Sequence, residues 1–200
     1  VYLETNYTTK PLWYFKSKVG PLLKASTVPK FIMYNNTRAA VNRVYPKLGD
    51  WIDAKGYKAD LLMIIGTLLR EQKFYHVQTF INSNTAHAAL LESSMEHSRP
   101  FNPQVLVATS GAANAGIDDP EVFGVTRMEF PPSLLDVKQE KGRAGRRPLA
   151  SPTTDFYLMC FSLKSYVVLL KRLHNTAGSR DNIYFKHQDS EMQKCLELFV

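Results

Sequence analysis

Short runs of apolar residues recur along the chain, each followed by a polar turn and then by a stretch with helical spacing. Phe31-Ile32-Met33-Tyr34 is the first such run, set between Pro29 and the turn-prone pair Asn35-Asn36, with Thr37 placed to cap a helix. Val41, Val44, Tyr45, Leu48 and Ile52 share one face of that helix, and Pro46 inside the pattern predicts a kink or a break into two helices. Leu61 to Ile65 is the second run, ended by Gly66, and Glu71 to Ile81 follows with Phe74, Val77 and Ile81 at helical spacing. Val105–Ala108, Val122–Phe130 and Asp155–Phe161 read as three further strands. A helix is predicted from Ser133 through the basic residues that follow it, and another over Leu163–His174 with Tyr166, Val167, Leu170 and Leu173 facing inward. A short helix is also expected over Lys16–Ser26, weakened by Gly20 and Pro21. Residues 82–103 show no firm period and read as an inserted surface loop.

Strands that are apolar throughout, alternating with helices, predict an α/β domain: a mostly parallel sheet covered by helices on both faces. Ligands in such sheets bind beyond the carboxyl ends of the strands. Four polar segments fall there: Asn35–Arg38, Gly66–Glu71, Thr109–Asp118 and the stretch leading to Arg146.

Composition changes this picture little. The chain is 44% hydrophobic and 22% charged, ordinary for a globular protein, and 200 residues suit one domain with a short attachment. No apolar run reaches the length that crosses a bilayer, so no membrane association is expected, and the opening residues do not read as a secretory leader. The pattern opens and closes without terminal tails, which predicts a piece of something longer. The net charge of +7 suits either a soluble surface or a field that attracts phosphate polyanions. Two cysteines, Cys160 and Cys195, make no disulfide framework and point to a reducing compartment.

Charge concentrates at Gln139-Glu140-Lys141-Gly142-Arg143-Ala144-Gly145-Arg146. Two arginines three apart on a helix project from one face, and an arginine forks onto phosphate oxygens in a way that lysine cannot copy. A solvated basic helix is the bland alternative. Upstream, the strand Val105–Ala108 runs into Thr109-Ser110 and then Ala115-Gly116-Ile117-Asp118. Hydroxyls and backbone N–H groups at such a strand end suit a phosphate, although an ordinary strand-to-helix loop looks the same.

The arginine segment, Gln-x-x-Gly-Arg-x-Gly-Arg, resembles motif VI of the superfamily 2 helicases, and Thr109-Ser110 with Gly116-Ile117-Asp118 resembles motif V ahead of it. Phe31 to Ala39 is similar to motif IV of RecQ-type DNA helicases, and Gly66 to Ile81 to the segment that follows it. The resemblance covers about Lys30 to His174, with Arg147-Pro148 standing where the family has Asp-Gly. It implies a RecA-like three-layer domain, the second motor lobe of an ATP-dependent 3′-to-5′ DNA helicase or translocase. Arg146 would be the arginine finger, Arg143 its companion, and Gln139, Gly116 and Asp118 would meet the nucleotide. Asn36, Arg38, Thr109 and Ser110 would contact the nucleic-acid backbone.

The resemblance also implies ATP and Mg²⁺, held mainly by a first RecA-like lobe of the same protein. The partner would be DNA, as single strand and duplex junction. The chain has no Gly-x-x-x-x-Gly-Lys-Ser/Thr loop and no Asp-Glu box, so alone it is expected to hydrolyse no ATP. A DEAD-box-like RNA helicase lobe is the nearest alternative, though Gln139-Glu140 stands where that group has His-Arg. A non-catalytic nucleic-acid-binding module is the other. Residues 1–27 read as a lead-in, 28–176 as the helicase C-terminal domain, and 177–200 as the start of a further subdomain. In RecQ-type proteins a zinc-binding unit follows the second lobe, but Cys195 alone supplies too few ligands and no metal site is assigned. A eukaryotic source would imply the nucleus, and otherwise the cytoplasm.

Overall fold

The computed structural model of the chain describes residues 6–7, 11–24, 30–82, 102–113, 117–131, 133–144, 146 and 155–161, with the single residues 167 and 190. Most of the expected insertion and of the helix expected over Leu163–His174 lie outside them, as do Gly116, Cys195 and nearly all of 177–200. The elements run β1 (Asn6–Tyr7), α1 (Pro11–Leu23), β2 (Lys30–Asn35), α2 (Arg38–Ala54), β3 (Asp60–Ile64), α3 (Arg70–Asn82), β4 (Gln104–Thr109), α4 (Ser110–Ala113), β5 (Val122–Arg127), α5 (Leu134–Lys141) and β6 (Phe156–Phe161). The strands pair in the order β1-β6-β5-β2-β4-β3, and every pair is parallel.

Side chains alternate across a strand, so each central strand feeds two cores. Phe31 and Met33 of β2, with Val105 and Val107 of β4, pack against Phe15, Val19 and Leu23 of α1 and Val41 and Leu48 of α2. Ile32 and Tyr34, with Leu106 and Ala108, face the other way, toward Phe80 of α3, Ala113 of α4 and Ala144 beyond α5. Helices therefore cover both faces, and each fully buried apolar side chain contributes about 1.5–3 kcal/mol. β2 and β5 lose step once: Lys30 pairs with Val122 but Phe31 with Gly124, leaving Phe123 as the extra residue of a bulge. Gly124 belongs there because an added Cβ would stand 2.4 Å from the Phe156 ring.

Lys30 is fully buried at the amino end of β2. Its Nζ lies 2.6 Å from Asp119 Oδ2 and donates to the Ile81 carbonyl at 3.1 Å. It thus ties β2 to the end of α3 and to the segment entering β5. A buried charge left without its partner costs about 3–5 kcal/mol, which makes this pair a fixed point of the fold.

The helices depart from expectation or narrow it in four places. The lead-in helix begins earlier, at Pro11, and runs through Gly20 and Pro21, because Gly20 leaves room for Trp51 and Tyr57. α2 continues through Pro46 without the break that is one of the two alternatives there, since Val41 before it and Leu48 and Ile52 after it are buried along one stripe. In α3 the fully buried residue is Phe80, with Val77 packed beside it, and Phe74 is exposed. α5 ends at Lys141 with Gly142 as its C-cap, so Arg143 and Arg146 lie beyond the helix, not on one of its faces.

Candidate nucleotide and nucleic-acid site

The carboxyl ends of β2, β4 and β5 meet around one guanidinium. Arg127, the last residue of β5, is fully buried. Its Nη1 donates to Ser110 Oγ, just past β4, and to Glu140 Oε1 on α5. Its Nη2 donates to Asn36 Oδ1, just past β2, and its Nε to the Glu129 carbonyl at 3.1 Å. Asn36 is held from the other side as well, its amide donating to the Phe130 carbonyl at 2.7 Å and its backbone N–H to Glu129 Oε2 at 2.7 Å. Glu140, buried on its helix, accepts a further hydrogen bond from Tyr157 Oη of β6 at 3.2 Å. One network therefore joins four strands to α5.

The electrostatics follow from burial. Loss of water pushes the Glu140 carboxyl up to about 7, and the Arg127 charge beside it pulls the other way. Tyr157 and Tyr34 are both driven up by burial first and then by the Glu140 charge, so their hydroxyls stay protonated.

The arginine turn grows from the end of this network. Ser133 caps α5, its Oγ accepting from the Asp136 N–H at 3.1 Å. After Gly142 the backbone tightens, with Arg143 N–H donating to the Glu140 carbonyl at 3.0 Å and Ala144 N–H to that of Lys141 at 3.3 Å. Ala144 is buried in the core and pins the turn, leaving an arginine on each side of it. Arg143 donates through Nη1 to the Ile117 carbonyl. Arg146 pairs with Asp118 and hydrogen-bonds back to the Gly142 carbonyl. Arg146 keeps 37% of its side chain exposed and Asp118 79%, so neither charge of this pair is sealed inside the protein.

The structure thus brings Arg143 and Arg146 together with Asp118, and joins exposed Asn36 and buried Ser110 through Arg127 behind them. Ser110 is buried, its hydroxyl turned to Arg127 instead of to solvent. Thr109 is half-buried at the end of β4, whereas Arg38 at the start of α2 and Gln139 on α5 are exposed. Sequence reasoning misses both Arg127 and Glu140 as site residues. The available signal was a charge inside the apolar run Val122–Phe130, with an acid placed in the arginine motif. Among the described residues, no group of three or more His, Cys, Asp or Glu side chains could hold a metal ion.

No protein-family model matches the chain, and no curated protein matches it. Solved structures do share its fold. It is similar to Mss116p DEAD-box helicase domain 2 bound to an RNA duplex, with a TM-score of 0.54 and 14% identity, covering 86% of this chain and 54% of that one. It is similar to T. fusca Cas3–ADP, with a TM-score of 0.59 and 18% identity, covering 98% of this chain and 23% of that one. The C-terminal part of the Fun30 ATPase domain gives a TM-score of 0.53 at 10% identity, covering 94% of this chain and 54% of that one. The chain spans about half or less of each of these proteins. Its all-parallel sheet between helices is the RecA-like fold, matching that of Mss116p domain 2.

Proposed function

We propose that this chain is the second motor lobe of an ATP-driven superfamily 2 helicase or translocase that works on DNA in the RecQ manner. The observation carrying this reading is the arginine turn: Arg143 and Arg146 stand against Ile117 and Asp118, so the two segments that resemble motifs VI and V meet on one face of the sheet. Phosphoryl transfer asks for positioning and for positive charge against the developing negative charge, which a guanidinium supplies. Arg146 can move to a phosphate at small cost, because an exposed ion pair such as that with Asp118 is worth only about 0–1 kcal/mol. Arg143, tied to a backbone carbonyl, sets where the turn sits. Gln139, exposed on α5, faces the same nucleotide in this reading.

The first lobe holds ATP and its Mg²⁺, and the site is complete when the lobes close; a closure that assembles the catalytic constellation is how a chemical step becomes movement. Arg38 and Thr109, at the carboxyl edge, meet the phosphate backbone of the strand. Replacing Arg146 by Ala in the two-lobed protein should lower ATP turnover by roughly 10³–10⁵, or about 4–7 kcal/mol of barrier, while strand affinity is kept. If affinity falls in step with turnover, the arginine is a phosphate clamp and the motor reading fails.

An RNA-directed motor is the second reading. It draws support from the similarity to Mss116p DEAD-box helicase domain 2, which was solved on an RNA duplex. Measuring ATP turnover with single-stranded DNA and with RNA of the same sequence separates the two.

A further inference from the structure

We infer that Arg127 is the positioning residue that links strand binding to ATP turnover. This rests on the motor reading above and adds to it a residue that resembles none of the motifs. The geometry is specific. The guanidinium holds Asn36 and Ser110, which close β2 and β4 at the edge where a strand would lie. The same group holds Glu140, three residues before Arg143, and the Glu140 carbonyl in turn accepts from the Arg143 backbone N–H. A displacement of the β2 or β4 loop therefore reaches the arginine turn through one rigid planar group.

A purely architectural role is the weaker explanation. Burying a charge pair is costly, and apolar residues of similar volume often fill such a place with equal or greater stability. A lysine would place a single point of charge there, whereas the planar fork of Arg127 uses three nitrogens on four partners in different directions. The pair Arg127–Glu140 is also fully withdrawn from water, so substrate does not touch it. Its influence runs through Arg143 and Asn36.

The experiment compares basal and strand-stimulated ATP turnover in the two-lobed protein, for wild type, Arg127→Gln, Arg127→Lys and Glu140→Gln. Strand affinity without nucleotide, KM for ATP and thermal midpoint are measured alongside. Expected is a fall of about tenfold in the stimulated-to-basal ratio for Arg127→Gln, the size of a typical coupling between sites. Any change in basal kcat, KM or strand affinity should be smaller than the change in the ratio. Arg127→Lys should recover the thermal midpoint but not the ratio. Should Arg127→Gln fail to fold, Glu140→Gln, which keeps the side-chain shape, decides the matter by lowering the ratio in the same direction. An unchanged ratio in the folded variants, or a loss of basal rate, affinity and stability together, overturns the inference. A wild type with no ATP turnover at all overturns the motor reading, and this inference falls with it.

Discussion

Glu140 shows how much a side chain's setting decides its chemistry. In the unfolded chain it is an ordinary carboxyl, and in the folded protein burial pushes it up to about 7 against the pull of Arg127. The folded state then holds its proton more tightly than the unfolded state does. The stability this gives is fully present below the unfolded value and is lost as pH rises through about 7. Urea midpoints taken from about pH 5 to about pH 8 should fall for wild type, and Glu140→Gln, which cannot ionise, should flatten that slope. Along the chain it is only an acid set among the basic residues of the arginine motif. Its surroundings are Ser110, Arg127 and Tyr157, and those neighbours meet only when β4, β5 and β6 are aligned. Arg146 was easier to find, because its chemistry lies in its own charge and its spacing from Arg143.

At the level of elements, local rules carried far. Thr37 and Ser133 are both N-caps, with side chains that accept from the N–H three residues on. Replacing either by Ala should cost about 1 kcal/mol, read from the shift in denaturant midpoint. Strands β2, β3, β4 and β6 fall within one or two residues of the apolar runs, whereas β5 stops at Arg127, short of Phe130, and β1 answers to no such run. The spacing of the arginine motif fits a helix, and Gln139 to Lys141 lie on one, but Arg143 and Arg146 stand past its end. Gly142 is the stop signal, since glycine is enriched where helices end and here it caps α5. Gly124 is another constraint invisible to periodicity. Its missing side chain admits the Phe156 ring from the neighbouring strand, and that ring also packs near Phe31 and Phe123. Gly124→Ala should therefore lose about 1–3 kcal/mol of stability, measured by chemical denaturation, because the ring must move.

For the whole molecule, the fold class followed from alternation alone, whereas the order of the strands did not. Apolar runs state that strands are buried on both faces but not which strand lies beside which. Here β2 sits between β4 and β5, which places Asn36, Ser110 and Arg127 side by side. The strand track proposed along that edge carries a further expectation. Arg38→Ala should weaken DNA binding and shallow the slope of log affinity against log salt by about one unit, as loss of one phosphate contact does. An unchanged slope would remove Arg38 from the track.

The buried amine of Lys30, at the opposite end of the sheet, offers a clock. An acylating reagent must reach the amine through water, and it cannot while Asp119 and the Phe80 ring enclose Lys30. Surface lysines such as Lys24 and Lys55 will react at once. Lys30 will take up label only as often as the sheet parts from α3, so its mass increment over time counts openings of the molecule, one lysine at a time.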